Sequence, residues 1–75
     1  MKSKVVHVVA TDRNGLVLFD RQASGKANGA HLFIDAMFHI DDINAKDVVI
    51  KKQEVGAKGW ASFSYSAGDT AAYRI

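Results

Sequence analysis

The sequence predicts a small α+β domain in which a strand hairpin, a single helix and further strands follow one another. Three observations support this class. Two short β-branched runs flank a turn near residue 13, one amphipathic segment is centred near residue 36, and three strand-like segments lie from residue 47 onward. The predicted order is ββαβββ, a mostly antiparallel five-stranded sheet with one helix packed on one face. All 75 residues form one domain.

The first two strands are predicted at 4–10 and 16–22, where valine and leucine dominate. Between them, Asp12 takes the first turn position and Gly15 the fourth. This arrangement is typical of a type I turn followed by a left-handed glycine that forms a bulge. The segment therefore predicts a hairpin.

The side-chain pattern of this hairpin depends on how its strands pair. If the turn is closed by its first residue and Leu16, then Val9 lies opposite Phe19 and His7 lies opposite Arg21 on one face. Apolar residues then occur on both faces of the hairpin. The sequence leaves open which of the two faces is buried.

A helix is predicted over roughly 29–43, with Asn28 as its N-cap. At 100° per residue its apolar side chains gather on one wide arc, as expected for a helix that lies across a sheet. The predicted core face consists of Ala30, Leu32, Phe33, Ala36, Met37, Ile40 and Ile43.

Three more strands are predicted at 47–55, 60–66 and 70–75, with a glycine-containing turn at 56–59 between the first two. The strand at 60–66 alternates strictly, so its two faces should differ. Its expected core side carries Ala61, Phe63 and Tyr65, and its expected solvent side carries Ser62, Ser64 and Ser66.

Composition narrows the functional classes. The chain has no cysteine, which favours a reducing setting, and it has no apolar run long enough to span a membrane. We expect a cytoplasmic protein without a membrane partner. The net charge is +2, yet residues 27–47 contain four aspartates and one lysine, so the helical region is acidic while the rest is basic. Such a layout can orient a charged partner.

His31, Asp35, His39 and Asp42 fall within a stripe of about 80° on the predicted helix. Imidazole and carboxylate groups one helical turn apart can share zinc, nickel or copper, which makes a metal-dependent protein the lowest-ranked hypothesis. The alternative is the solvated face of an amphipathic helix, with weak pairs between neighbouring side chains. We adopt this alternative and expect neither a metal nor a cofactor.

Two large apolar residues lie in or beside this stripe. Phe38 falls inside it and Ile34 at its edge, where an isolated domain would expose both. Exposed apolar side chains next to acidic ones are common in partner-binding surfaces, although a loop at 23–28 or 44–47 would be an alternative cover. The candidate protein-binding residues are Ile34, Asp35, Phe38 and Asp42.

The main rival is a nucleic-acid-binding module on the basic C-terminal strands. Lysines and arginine would contact phosphates there, and aromatic rings would stack on bases. The residues of this alternative are Lys51, Lys52, Lys58, Trp60 and Arg74. Nucleic acid ranks below protein as a partner, because Tyr65 is expected in the core and only Trp60 should share the serine face.

No arrangement of nucleophile, base and carboxylate stands out, so we expect no enzyme. One helix covers only one face of the sheet, and the other face would have to meet another protein or a second copy in a homodimer. The sequence thus predicts a small non-enzymatic module that binds another protein and acts by steric occlusion. In size and layout it resembles phage-encoded inhibitors of bacterial machinery, including anti-CRISPR proteins.

Overall fold

A computed structural model describes residues 4–69 as one helix packed on one face of an antiparallel sheet. In chain order the elements are β1 (Val5–Thr11), β2 (Val17–Ser24), α1 (Lys26–Asp42), β3 (Val48–Glu54) and β4 (Ala61–Tyr65). The described strands lie in the order β2-β1-β3-β4, and each neighbouring pair is antiparallel. The α+β class is confirmed, and the fifth strand expected at 70–75 lies outside the described residues. Within residues 4–69, no helix is long and apolar enough to cross a membrane.

The turn between β1 and β2 forms as expected. The Asp12 N–H donates to the Leu16 carbonyl at 3.0 Å, and the Gly15 N–H donates to the Asp12 carbonyl at 3.0 Å. The Asp12 carboxylate also accepts the N–H groups of Asn14 and Leu16, at 2.8 and 2.9 Å. Gly15 has a φ of 85°, which favours glycine there. Local side-chain and backbone hydrogen bonds therefore specify this turn.

The pairing beyond the turn differs from the expected pairing by one residue. Leu18 is skipped in the ladder, which produces a bulge in β2. The predicted pairs of Val9 with Phe19 and of His7 with Arg21 were therefore wrong. The observed pairs are Ala10 with Phe19, Val9 with Asp20, Val8 with Arg21 and His7 with Gln22.

This register decides which residues of β2 lie on the helix side beside Val8 and Ala10 of the central strand β1. Val8 and Ala10 are fully buried under α1, and Phe19 of β2 joins them. His7 and Val9 point to the other side of the sheet, because successive side chains of a strand alternate between faces. We call this other side the open face.

The helix begins earlier than expected, and Asn28 is not its N-cap. Gly25 precedes the first turn with a φ of 92°, and no side chain caps the helix there. The Gly25 N–H donates to the Lys4 carbonyl at 2.7 Å, which ties the start of α1 to the chain just before β1. Asn28 lies within the first turn, where its side-chain amide donates to the Ser24 carbonyl at 2.8 Å. Tertiary contact and glycine conformation thus set the helix start.

The core lies between α1 and the sheet and agrees with most of the predicted helical arc. Ala30 and Ile43, both expected in the core, are exposed, and Phe33 is half-buried. These differences arise because Ala30 lies near the edge of the arc and Ile43 follows the last helical residue. The buried hydrophobic residues are Val8, Ala10, Phe19, Leu32, Ala36, Met37, Ile40, Val48, Ile50, Tyr65 and Ala67.

Gly29, which the predicted core face did not include, is a point of close approach between α1 and β1. A Cβ atom at this position would lie 2.7 Å from Val6 Cγ2 and 2.9 Å from Val6 Cβ. Those distances are shorter than side chains tolerate, and a β-branched valine has little freedom to move aside. The absence of a side chain at Gly29 therefore allows this end of the helix to rest on the strand.

The other end of α1 is held by hydrogen bonds that join the last helical turn and the loop after it to Tyr65 and the chain after β4. We call these hydrogen bonds the clasp. The Tyr65 hydroxyl donates to Asp41 Oδ1 at 2.8 Å, and the Gly68 N–H donates to the same oxygen at 3.1 Å. The Lys46 ammonium donates to the Ala67 carbonyl at 2.6 Å. Tyr65 is buried as expected, and its hydroxyl connects β4 to the last turn of the helix.

The close approach at Gly29 leads to an unusual expectation for Gly29→Ala. In an ordinary helix interior this change stabilises by about 1 kcal/mol, because alanine loses less backbone entropy. Here the overlap with Val6 should reverse the sign and destabilise the protein by ~1–3 kcal/mol. Urea unfolding of the two single variants and of the double variant Gly29→Ala/Val6→Ala measures the coupling energy between positions 29 and 6. The double variant should recover part of the loss, and a higher midpoint for Gly29→Ala alone would contradict the close contact.

The clasp predicts that two neighbouring aspartates differ in their contribution to stability. Asp41→Ala leaves the Tyr65 hydroxyl without this acceptor and should lower the free energy of unfolding by ~1–3 kcal/mol. Asp42→Ala is the matched control, since Asp42 is exposed in the same helical turn, and it should change stability by less than about 0.5 kcal/mol. Thermal unfolding of both variants decides the point. Equal losses would show that the clasp contributes nothing specific.

Candidate functional site

The outer face of α1 carries all four residues proposed for protein binding. Ile34 and Phe38 are one helical turn apart, and Asp35 and Asp42 flank them on the same side. Ile34 is 37% exposed and Phe38 is 54% exposed. Residues 23–28, which form the end of β2 and the start of α1, and the loop at 44–47 therefore leave both accessible. The structure brings the predicted residues together on one surface.

A shallow depression lies at the C-terminal end of this outer face. It is lined by Phe38, His39, Asp41 and Asp42. The Asp41 carboxylate is engaged by the clasp described above, whereas Asp42 is exposed. The depression thus combines an aromatic wall with a carboxylate that is open to solvent.

The stripe that suggested a metal site is a solvated helix face. His31 and His39 are eight residues apart, which corresponds to about 12 Å along a helix axis, too far for both to ligate one ion. The His39 ring also lies 6.3 Å from the ring of Phe19, toward the edge of the helix. Among the residues that the structure describes, no group of three or more histidine, aspartate or glutamate side chains could hold a metal ion.

The residues of the nucleic-acid alternative are divided between the two sides of the sheet. Lys51 lies on the open face, whereas Lys52 lies on the helix side with its ammonium 5.8 Å from the centre of the Phe33 ring. Lys58 belongs to the turn between β3 and β4, and Arg74 lies outside the described residues. Adjacent residues of a strand necessarily point to opposite faces. Lys51 and Lys52 therefore do not share one stacking platform.

β4 has the predicted alternation but contributes less to the core than expected. Tyr65 is buried, whereas Ala61 and Phe63 are exposed, Phe63 by 44%. α1 packs mainly over β1 and β2, so this edge strand extends beyond it. Phe63 instead makes an edge contact with Phe33 of the helix, with ring centres 5.0 Å apart. Ser62 and Ser64 are exposed on the open face, while the Ser66 hydroxyl accepts the Asp47 N–H.

The open face is a second apolar surface, for which the sequence suggested a role but no residues. Its centre is formed by the outward side chains of β1, and the centre of the Trp60 ring lies 5.3 Å from that of the His7 ring. His7 Nε2 lies 2.5 Å from Asp20 Oδ1. By strand register the face comprises Val5, His7, Val9, Thr11, Val17, Asp20, Gln22, Ser24, Val49, Lys51, Gln53, Ser62 and Ser64.

Only the structure could assign these residues, because their side of the sheet depends on the bulge in β2. A usable signal was nevertheless present in β1, where valines occur on both faces. Continuous apolar runs are typical of strands that are covered on both sides. Comparisons with protein-family models, with curated proteins and with solved structures find no match to this chain.

Proposed function

We propose that this chain is a non-enzymatic protein-binding module whose contact surface is the outer face of α1. The exposed pair of Ile34 and Phe38 carries this proposal. A helix that packs on a sheet normally places its large apolar residues toward the core and its polar residues outward. Phe38 lies on the side opposite Ala36 and Ile40, which are fully buried. A large aromatic side chain there is well placed to anchor a partner.

The charges around this pair define the partner's chemistry. Between residues 27 and 42 the helix has three aspartates and no lysine or arginine. Asp35 and Asp42 border the apolar pair and are exposed. An amphipathic helix of this kind fits an apolar groove, and carboxylates at its margin favour a groove lined by lysine or arginine. We therefore infer a larger protein with an apolar groove and a basic rim.

The mode of action that fits such a contact is steric occlusion. A module that fills a groove keeps other ligands away from that surface without any chemical step. The two-layer packing and the clasp at the end of α1 hold the helix in place, so little conformational entropy is lost when it binds. This mode agrees with the resemblance in size and layout to phage-encoded inhibitors.

Phe38→Ala should abolish partner capture while the fold is retained. Truncation of a central aromatic anchor costs about 2 kcal/mol or more, which corresponds to an affinity loss of roughly 30-fold. Wild type, Ile34→Ala and Phe38→Ala serve as baits in lysates, and bound proteins are quantified by mass spectrometry. Leu16→Ala is the matched control, since it also truncates an exposed apolar residue but lies in the hairpin turn.

The proposal is supported if wild type and Leu16→Ala capture one protein equally and Phe38→Ala does not capture it. The affinity of that purified protein for each bait is then measured. Circular dichroism of each bait confirms folding. Equal capture by all baits would exclude the outer face of α1 as the contact surface. Retention of nucleic acid that is released by salt would instead favour the nucleic-acid alternative, whose residues are Lys51, Lys52, Lys58, Trp60 and Arg74.

A further inference from the structure

We infer that the open face of the sheet binds a second copy of this chain in a symmetric, reversible dimer. This inference goes beyond the protein-binding role of α1, because it concerns the opposite side of the molecule. It depends on three features of the open face, namely an apolar centre, a charge distribution that complements itself, and a limited area.

The apolar centre lies along β1, which is flanked by β2 on one side and β3 on the other. Val5, Val9 and Thr11 point outward from β1 and are only half-buried. Val17 and Trp60 add further apolar surface and are 52% and 42% exposed. A sheet face exposed to solvent in an antiparallel protein is usually polar. This one carries four valines and Trp60 among its polar residues.

The charges on this face lie symmetrically about β1. Val9 is paired with Asp20 of β2 and with Lys51 of β3, so these three residues form one row across the sheet. Neighbouring strands are about 4.8 Å apart. β2, which carries Asp20, and β3, which carries Lys51, therefore lie at equal distances on either side of Val9. The face is therefore negative on one flank of β1 and positive on the other.

This row selects one two-fold arrangement. An axis parallel to β1 and passing above Val9 places the β2 of one copy over the β3 of the other. Asp20, whose Oδ1 also contacts His7 Nε2 of its own chain, then faces Lys51 of the second copy, and the reciprocal pair forms by symmetry. An axis perpendicular to the strands would set Asp20 against Asp20 and Lys51 against Lys51, which like-charge repulsion disfavours.

The neighbouring rows agree with the same axis. In the next row Gln22 and Gln53 flank His7, and in the row nearest the hairpin turn Val17 and Val49 flank Thr11. The axis parallel to β1 therefore sets glutamine over glutamine and valine over valine. None of these three rows places a charged residue against an apolar one. The strands of the two sheets are then nearly aligned, as in β-sandwiches.

The area of the face indicates a weak dimer rather than an obligate one. The axis over β1 overlays only β2, β1 and β3, because β4 then has no strand opposite it. Three strands about 4.8 Å apart and about seven residues long at about 3.3 Å each cover roughly 330 Å² per copy. The total of roughly 700 Å² lies well below the 1,200–2,000 Å² that is typical of stable complexes. We therefore expect a dimer that dissociates on dilution from high to low micromolar concentration. Both copies would direct the outer face of α1 away from the axis, which makes the dimer bivalent.

The test uses sedimentation velocity and tryptophan fluorescence of the purified chain over about 5–500 µM, a range suited to a weak complex. The mass should rise from the 8.2 kDa of one chain toward twice that value. Trp60 is the only tryptophan and its ring lies near that of His7 on the open face, so its emission should shift to shorter wavelength over the same concentration range.

Charge reversal tests the proposed axis directly. Asp20→Lys and Lys51→Asp should each weaken dimerisation about tenfold or more, because each places like charges in contact across the axis. The double variant restores opposite charges and should return to within about threefold of wild type. Both residues are exposed, so these changes spare the core, and circular dichroism verifies folding. Phe38→Ala, on the opposite side of the molecule, should dimerise like wild type.

Three results would overturn the inference. The first is a mass that stays at that of a monomer up to the highest concentration. This outcome also covers an open face that binds a different protein instead of a second copy. The second is a dimer that the single reversals leave unchanged, since another surface would then form it. The third is a double variant that stays as weak as the singles, which would exclude the two-fold axis parallel to β1.

Discussion

The register of the first hairpin is the constraint on which the rest of the structure depends. β1 lies in the middle of the sheet between β2 and β3, and its pairing decides which residues of β2 share the helix side with Val8 and Ala10. The bulge at Leu18 brings Phe19 beside Ala10, and both are buried under α1. Because side chains alternate with a period of two, a slip of one residue would exchange the two faces of β2.

The helix is placed by contacts at both ends in addition to its apolar arc. Near its start, Gly29 allows the backbone to approach Val6 more closely than any other residue type would permit. At its end, Asp41 accepts hydrogen bonds from Tyr65 and from the backbone of Gly68. These contacts tie the helix to β1 and to the chain after β4, and so they orient Phe38 away from the sheet.

The two proposed surfaces lie on opposite sides of a thin, two-layer molecule. One is a narrow acidic helix face with a pair of large apolar side chains, suited to a groove in another protein. The other is a broad sheet face whose charges complement themselves across β1, suited to a second copy. Because the surfaces do not overlap, occupation of one leaves the other accessible, and a dimer would present two identical helices to its partner.

By itself the sequence determined the local features: the turn at Asp12 and Gly15, the helix, the two later strands and the grouping of Ile34, Asp35, Phe38 and Asp42 on one helix face. Each follows from residues close together in the chain, through turn chemistry or side-chain periodicity. Only the tertiary structure decided the bulge at Leu18, the helix start at Gly25 and the residues of the open face. These depend on contacts between distant segments, such as Gly25 with Lys4 and Gly29 with Val6, which local propensity and periodicity do not encode.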